Sequence, residues 1–202
     1  MEVTNVTADA EEFTCNAYLA PDGKPTLVDA GAMPGVVGAI GEHTDSLSQV
    51  VLTHQHGDHV GELDAVLSAF DADLYAYDAH PDRTDTLRDG DKLTVGSESV
   101  EVVHTPGHAG DHVSLVGDRS LFSGDVVVYN DGAFDDGSFG RTDYPSQSRE
   151  RLVGSLRELL DRLPKTVDRM YAGHGDSYTG DVRAVVERAL DRAERHKPKY
   201  DN

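Results

Sequence analysis

The sequence predicts a single α/β domain over residues 1–202, in which sheets pack between helices in layers. Three observations support this prediction. The chain of 202 residues is 38% hydrophobic, which is enough to bury one core. Short aliphatic and β-branched runs dominate its middle, and amphipathic helical patterns occur before and after them. Strands and helices in this order bury their apolar faces when they stack in layers.

The first half of the chain predicts two strands, a helix and a third strand. The runs "TLVDAG" (26–31) and "SQVVLT" (48–53) end at a glycine or at a histidine-rich loop, as buried strands do. A helix is predicted from Val60 to Phe70, and "LYAY" (74–77) follows it as a strand. The helix prediction depends on apolar residues at helical spacing, which are Val60, Leu63, Val66, Leu67 and Phe70.

The second half predicts a meandering sheet followed by two helices. Four strand candidates are separated by Gly, Ser and Asp turns: "KLTV" (92–95), "SVEVVHT" (99–105), "HVSLV" (112–116) and "SLFSGDVVV" (120–128). Residues 130–146 have no periodicity. A helix from Ser148 to Leu163 is ended by Pro164, "VDRMYAG" (167–173) reads as a late strand, and an amphipathic helix spans Asp181 to Arg195.

The net charge of the chain limits which partners it can bind and indicates the kind of cytoplasm it comes from. It carries 37 acidic and 18 basic residues, for a net charge of −19. Such a surface repels phosphate backbones, so nucleic-acid binding is excluded, and it is typical of halophilic proteins from high-salt cytoplasm. The sequence shows no pattern of a signal peptide or of a membrane-spanning segment. A single cysteine cannot form an intramolecular disulfide, which agrees with a reducing compartment, and Cys15 is predicted to be a small buried apolar residue. We therefore expect a cytoplasmic protein.

Histidines and aspartates concentrate in "VVLTHQHGDHVG" (50–61), directly after a predicted strand. In a strand-like H-x-H, the side chains of His54 and His56 project to one side, so that both can bind one cation. Asp58 and His59 follow where the chain turns into the helix, which predicts a second, adjacent site. A lone histidine is usually an ordinary surface residue, but this spacing favours metal binding strongly.

Further candidate ligands lie at later strand ends: His108 in "TPGHAGDH", Asp125 in "LFSGD" and His174 in "YAGHGD". Imidazole nitrogens and carboxylate oxygens are zinc ligands, and loops at strand ends let distant ligands converge. His104 and His112 flank the first of these segments. They are either supports of the ligands or ordinary strand-end hydrogen-bonding residues.

These segments, in this order, resemble the metallo-β-lactamase superfamily, whose signature T-H-x-H-x-D-H-x-G is similar to "THQHGDHVG". "LVDAG" and "FGRTDY" resemble further family elements, so the likeness extends from about residue 26 to 178. The resemblance implies a four-layered αββα sandwich with two metals at one sheet edge. It implies that His54, His56 and His108 hold one metal, that Asp58, His59 and His174 hold the other, and that Asp125 bridges both.

The resemblance also implies a mechanism. Two cations bridged by a carboxylate and a water supply hydroxide near neutral pH, so no serine or cysteine nucleophile is needed. Attack of this bridging hydroxide is the expected step, with Asp125 bridging the metals and Asp58 orienting the water. Two Zn²⁺ ions are the expected cofactors, with Fe²⁺ or a mixed Fe/Zn pair as alternatives.

Among family members the chain most resembles short glyoxalase II-like enzymes, which hydrolyse hydroxyacyl thioesters. A small-molecule thioester is therefore the expected substrate. Arg141 in "FGRTDY" is a candidate for binding an anionic substrate or for pairing with Asp143. Tyr144 and Tyr178 are candidates for lining the pocket. About 25 residues follow the last motif, too few for the glutathione-binding helical domain of full-length relatives, so glutathione is not the expected thiol, and a different thiol or a small acyl thioester is the alternative.

The alternative function is a mononuclear iron persulfide dioxygenase of the same superfamily. His54, His108 and Asp125 form the two-histidine, one-carboxylate set that suits ferrous iron, and these dioxygenases also carry a "GRTD" segment. The "GHGD" ending favours the hydrolase. The oligomeric state is not predicted.

Overall fold

The computed structural model describes residues 1–195, which form twelve strands and five helices. The strands are β1 (Thr4–Asn5), β2 (Tyr18–Ala20), β3 (Thr26–Val28), β4 (Gln49–Val51), β5 (Asp73–Ala76), β6 (Asp85–Thr86), β7 (Lys92–Val95), β8 (Glu98–His104), β9 (Val113–Val116), β10 (Ser120–Gly124), β11 (Arg169–Ala172) and β12 (Tyr178–Thr179). The helices are α1 (Val36–Gly41), α2 (Gly57–Val60), α3 (Leu63–Phe70), α4 (Arg149–Arg162) and α5 (Val182–Glu194).

The strands form two six-stranded mixed sheets. One has the order β1-β2-β3-β4-β5-β6, and the other has the order β12-β11-β10-β9-β8-β7. The chain divides within β8 into two compact units, Met1–Val100 and Glu101–Asn202. Each unit has its own hydrophobic core.

In the unit Met1–Val100, strands β3 to β6 are parallel, and β1 and β2 extend the sheet in antiparallel fashion. Strands β3 and β4 are buried along their whole length, which explains why they read as continuous apolar runs. Helices supply Val36, Ile40, Leu63 and Val66 to the core of this unit. The parallel strands β3 and β4 end side by side, so the loops that follow them begin at the same sheet edge.

The helix predicted from Val60 to Phe70 is wrong in one respect, because it is two helices, α2 and α3, separated at Gly61 and Glu62. A β-carbon on Gly61 would lie 2.7 Å from the β-carbon of Ala32, so this turn packs directly on the chain after β3. The amide of Glu62 donates to the carbonyl of Gly31 at 2.9 Å. Packing against the β3 loop therefore interrupts a pattern that looked continuous.

In the second unit, β8, β9 and β10 pair in antiparallel fashion, β11 lies parallel to β10, and β12 closes the edge. Helices α4 and α5 pack together and contribute a large part of the core, including Leu152, Leu156, Val186 and Ala189. Ser148 caps α4 by accepting a hydrogen bond from the amide of Arg151, and Asp181 caps α5 in the same way.

Most predicted elements are confirmed, with shifts at their ends. The run predicted as a strand to residue 128 ends at Gly124, because Gly124 has a φ of 50° and turns the chain out of the sheet. The short elements β1, β2, α1, β6 and β12 were not predicted. Among residues 1–195 no helix has the length and apolar character needed to cross a membrane. The prediction that His196 is an ordinary histidine without a metal-binding role concerns a residue outside the described range.

Candidate metal centre

The histidine-rich turn of the first unit lies at the end of β4 and continues into α2. His54 and His59 are 1% and 0% exposed, and their rings lie 4.0 Å apart between centroids. His56 and Asp58 are half-buried on the same turn. The amide of His59 donates to the carbonyl of His56 at 2.9 Å and starts the helix. The chain thus folds four candidate ligands onto one turn.

One buried carboxylate, Asp29 at the end of β3, orients the imidazoles of this turn. Its Oδ1 accepts the amide of Thr53 at 2.8 Å, and its Oδ2 accepts the Thr53 hydroxyl at 2.8 Å. Oδ2 also lies 2.9 Å from Nδ1 of His59, and the Thr53 Oγ1 lies 3.1 Å from Nδ1 of His54. Because these oxygens accept, both histidines carry a proton on Nδ1 and direct Nε2 away from the carboxylate.

The spacing of His54 and His56 fits a shared cation. Nε2 of His54 lies 3.0 Å from Nδ1 of His56. Two ligand atoms on a tetrahedral zinc ion at 2.0–2.1 Å are about 3.3 Å apart, so the observed spacing needs only a small adjustment. With Nδ1 of His54 protonated, its Nε2 carries a lone pair toward the neighbouring ring. The donor set therefore fits a metal.

A second group in this unit, Cys15, Asp29 and His59, also offers three buried ligand atoms within 4.8 Å. Asp29 already accepts three hydrogen bonds, from Thr53 twice and from His59. A metal here would have to replace those bonds, so we assign the group to support of the turn. The predicted burial of Cys15 is confirmed.

In the second unit, Asp125 lies between two histidines. Its Oδ2 is 3.3 Å from Nε2 of His108 and 3.4 Å from Nε2 of His174. Nδ1 of His108 lies 2.9 Å from the carbonyl oxygen of Arg141, which can only accept, so this proton is on Nδ1. In the neutral ring Nε2 then directs a lone pair toward the carboxylate. Distances near 3.3 Å between such atoms are those of ligands that share a cation.

The segment that follows Asp125 supports this arrangement closely. The amide of Gly140 donates to the carbonyl of Asp125 at 2.7 Å. A β-carbon on Gly140 would lie 2.2 Å from that carbonyl oxygen and 2.9 Å from Nδ1 of His108. Only glycine fits at this position, and it brings the Arg141 carbonyl within reach of the His108 ring.

The predicted substrate residues lie in less buried positions. The guanidinium of Arg141 donates to Asp143 at 2.9 and 2.6 Å and lies 4.6 Å from the centre of the Tyr144 ring, which is 54% exposed. These hydrogen bonds, more than the charge of Arg141, hold the pKa of Asp143 below its usual value. Tyr178 packs on Tyr129 with ring centroids 4.6 Å apart. A role for Arg141, Tyr144 and Tyr178 in substrate binding stays a prediction.

Several supporting residues were not predicted from the sequence. Asp29 was part of the quoted "LVDAG" segment, but no role was derived for it. Thr53, Gly140 and the carbonyl of Arg141 were missed, because their role depends on strand pairing and backbone position. His112 was named as a candidate support, and its ring does contact the amide of Asp125 at 2.9 Å. His104 hydrogen-bonds the carbonyl of Gly110 instead.

The chain is similar to known proteins over most of its length. A family model described as the metallo-beta-lactamase superfamily matches residues 10–195. A hydroxyacylglutathione hydrolase from Fuscovulum blasticum is 34% identical over 124 residues, which cover 58% of this chain and 49% of that protein. The chain spans about half the length of the curated relatives it matches.

Two solved structures are also similar. ETHE1 from Myxococcus xanthus is 26% identical with a TM-score of 0.73, covering 89% of this chain and 80% of that one. TTHA1623, solved in a di-iron-bound form, is 28% identical with a TM-score of 0.67, covering 87% and 93% of the two chains. The predicted fold class is confirmed as two mixed sheets flanked by helices, and the chain belongs to the metallo-beta-lactamase superfamily.

Proposed function

We propose that the protein is a binuclear metal-dependent hydrolase of glyoxalase II type that cleaves a small hydroxyacyl thioester. The observation that carries the proposal is that the first unit gathers four candidate ligands on one turn, that the second places Asp125 beside two histidines, and that hydrogen bonds to Nδ1 leave the lone pairs of His54, His59 and His108 on Nε2. Family membership supports a metal-dependent hydrolase, and the relatives named hydroxyacylglutathione hydrolase support a thioester. Zinc is the proposed metal, because buried imidazole and carboxylate donors suit it.

The proposed ligand sets follow the family pattern. His54, His56 and His108 would hold one metal, and Asp58, His59 and His174 would hold the second. Asp125 would serve both, since one of its carboxylate oxygens lies 3.3 and 3.4 Å from two different histidines. When bound, two such ions acidify a shared water and polarise the attacked carbonyl.

The chain's own residues prepare this chemistry. Asp29 and Thr53 keep the protons of His54 and His59 on Nδ1, so that each Nε2 can donate its lone pair to a metal. The Arg141 carbonyl does the same for His108. Asp58 is the proposed residue for orienting the attacking water, because its side chain remains partly exposed.

The alternative is a mononuclear iron dioxygenase acting on a persulfide, with His54, His108 and Asp125 as ligands. Fe²⁺ or a mixed Fe/Zn pair stays open as the metal, because imidazole and carboxylate ligands also suit iron and a similar chain was solved in a di-iron-bound form. A cytoplasmic location, a halophilic origin and the lack of nucleic-acid partners stay predictions.

Metal analysis with reconstitution tests the proposal. Protein stripped of metal and reloaded with zinc or with ferrous iron is analysed for metal per chain and is assayed with a hydroxyacyl thioester. About two zinc ions per chain and zinc-dependent release of thiol are expected. About one iron per chain, with oxygen consumed on adding a persulfide, would reject the hydrolase in favour of the dioxygenase.

A matched pair of variants separates metal-dependent hydrolysis from background. Asp58→Asn changes one proposed ligand on the turn, whereas Asp64→Asn changes an exposed carboxylate in the first turn of α3. We expect Asp58→Asn to lose thioester hydrolysis and Asp64→Asn to retain it. Equal activity of the two variants would contradict the proposed role of Asp58.

A further inference from the structure

We propose that His112 is a positioning residue for Asp125 and that it acts through a closed chain of buried hydrogen bonds. This series of hydrogen bonds, called here the Asp125 clamp, involves the side chains of Thr105, His112 and Ser114 and the backbone of residues 123–125. The inference rests on the metal centre proposed above, because Asp125 matters here as a ligand.

The first half of the clamp fixes the protonation of the His112 ring. The amide of Asp125 donates to Nε2 of His112 at 2.9 Å. An amide only donates, so Nε2 carries the lone pair and the ring proton is on Nδ1. Nδ1 lies 2.8 Å from the hydroxyl oxygen of Thr105, which therefore accepts. The ring is a neutral imidazole that connects an amide to a hydroxyl.

The second half returns to the same bend of the backbone. Thr105 Oγ1 lies 3.1 Å from Ser114 Oγ, and Ser114 Oγ lies 3.3 Å from the carbonyl oxygen of Ser123. A carbonyl only accepts, so the Ser114 hydroxyl donates to it and accepts from Thr105. The donor and acceptor of every hydrogen bond in the clamp are therefore assigned. The bonds all point the same way, from the donating amide of Asp125 to the accepting carbonyl of Ser123.

The clamp closes around Gly124, where β10 ends. Gly124 has a φ of 50°, and the pairing of β10 with β11 shifts register between Phe122 and Gly124. The two ends of the clamp are attached on either side of this glycine, and the side chains of Thr105, His112 and Ser114 are completely buried. Opening the bend would break a hydrogen bond that water cannot replace.

The bend decides where the Asp125 carboxylate lies relative to His108 and His174. Oδ2 of Asp125 lies 3.3 Å from Nε2 of His108 and 3.4 Å from Nε2 of His174. Loss of the clamp would let the backbone relax and would change these two distances. Supporting groups of this kind change metal affinity rather than the identity of the ligands. The expected effect is therefore faster loss of metal.

Substitution of His112 tests the proposal through metal release, without any substrate. In His112→Gln the amide offers an acceptor to Asp125 and a donor to Thr105, whereas His112→Phe offers neither. Zinc-loaded protein is mixed with excess 4-(2-pyridylazo)resorcinol, and the rate of zinc transfer is followed by absorbance. We expect His112→Phe to release zinc about 10 to 100 times faster than the parent chain, and His112→Gln to stay close to the parent.

Equal release from His112→Phe and the parent would overturn the proposal, as would His112→Gln releasing zinc as fast as His112→Phe. Thermal unfolding of the zinc-free variants measures any general loss of stability. Arg183→Met is the matched control, because it removes two hydrogen bonds of 2.8 Å to the carbonyls of Leu160 and Leu163 without contacting the clamp. The control is expected to lose stability and to keep the parent's release rate.

If His112→Phe does not fold, Thr105→Val keeps the test decisive. Valine has the shape of threonine but neither accepts from His112 nor donates to Ser114. A several-fold faster release is expected, and an unchanged rate would overturn the proposal. A parent chain that holds zinc but hydrolyses no thioester would reject the proposed function only, since zinc release from the same variants would still report on the clamp.

Discussion

The two units hold their candidate ligands in opposite ways. In the first unit four ligands occupy six consecutive positions, and one carboxylate, Asp29, orients two of them through its side chain. In the second unit the three candidate ligands come from loops between residues 108 and 174, and two of them have separate supports, the backbone carbonyl of Arg141 for His108 and the side chain of His112 for Asp125. A ligand set that is local in sequence needs only one organising side chain, whereas a dispersed set depends on the sheet that connects it.

The largest effect should come from removing the residue that serves both dispersed histidines. Asp125→Asn takes a charged oxygen from between His108 and His174, whereas His56→Ala removes one ligand from a turn that keeps three. We expect Asp125→Asn to lower the zinc content and to slow thioester hydrolysis about a thousandfold. The reason is that bound metal stabilises the transition state of hydrolysis by several kcal/mol. For His56→Ala we expect a loss of about ten- to a hundredfold. Equal losses of kcat would remove the contrast between the units.

Asp29→Asn should have the next largest effect, since it disturbs the organising side chain of the first unit. Asparagine keeps the shape but presents a donor where Asp29 accepts. We expect metal affinity to fall about 10- to 100-fold and the free energy of unfolding to fall by about 1–3 kcal/mol.

Asp71→Asn is the matched control for Asp29→Asn. Asp71 also has a positive φ, 51°, but it is exposed at the end of α3. Its replacement should change the stability by no more than about 0.5 kcal/mol. Metal titration and urea unfolding of both variants measure the difference, and similar losses in the two would argue against an organising role for Asp29.

A pair of glycines tests the backbone support of the second unit. Gly140→Ala places a β-carbon against the Asp125 carbonyl and His108, so we expect a loss of about 1–3 kcal/mol together with faster release of zinc. Gly154→Ala in α4 meets no atom within 4 Å and should stabilise the protein by about 0.5–1 kcal/mol. Thermal unfolding of both variants gives the sign, and a stabilised Gly140→Ala would contradict the close packing.

Charge provides a further contrast between the two parts of the chain. Residues 1–100 carry 19 acidic and 4 basic side chains, a net charge of −15, whereas residues 101–202 carry 18 and 14, a net of −4. Screening should therefore stabilise the first unit more than the second. Hydrogen exchange in low and in molar KCl should show a larger gain in protection before residue 100. Equal gains would point to a general effect of salt on hydration.

The smallest expected effect concerns Asp143, on the loop after the proposed ligand Asp125. Its lowered pKa means that the Arg141–Asp143 pair contributes stability above the usual value of 3.8, and that this contribution is lost as the pH falls through the lower folded value. Asp143→Asn should flatten the stability curve slightly in this acid range only. The effect should be small because both side chains are partly exposed. Acid unfolding of the two proteins measures it, and a change confined to neutral pH would contradict the cause.

The sequence predicted what depends on neighbours along the chain, and missed what depends on strand pairing. His54, His56, Asp58 and His59 lie within six residues, so their spacing alone predicted that they cluster, and the structure places them on one turn. The role of Asp29 requires the parallel pairing of β3 with β4, which puts Val28 opposite Val51 and brings residues 29 and 53 together.

In the second unit the sequence indicated His112 as a possible support without its partner, for the same reason. His112 reaches the amide of Asp125 because β9 and β10 pair with Leu115 opposite Phe122 and because the chain bends at Gly124. The break between α2 and α3 was invisible because it depends on Ala32, which lies far away in sequence. Periodicity reports which face of an element is buried, but not what lies against it.

The backbone of Asp29 restricts how this protein can evolve. A φ of 59° is adopted readily only by glycine, asparagine and aspartate. Glycine would delete the acceptor, glutamate would keep the carboxylate in a strained backbone, and asparagine would turn an acceptor into a donor. Almost any single substitution of Asp29 is therefore expected to disturb either the backbone at this position or the hydrogen bonds that its carboxylate accepts. A residue outside the proposed ligand sets thus closes many mutational routes by which the chain could drift toward a new metal or a new reaction.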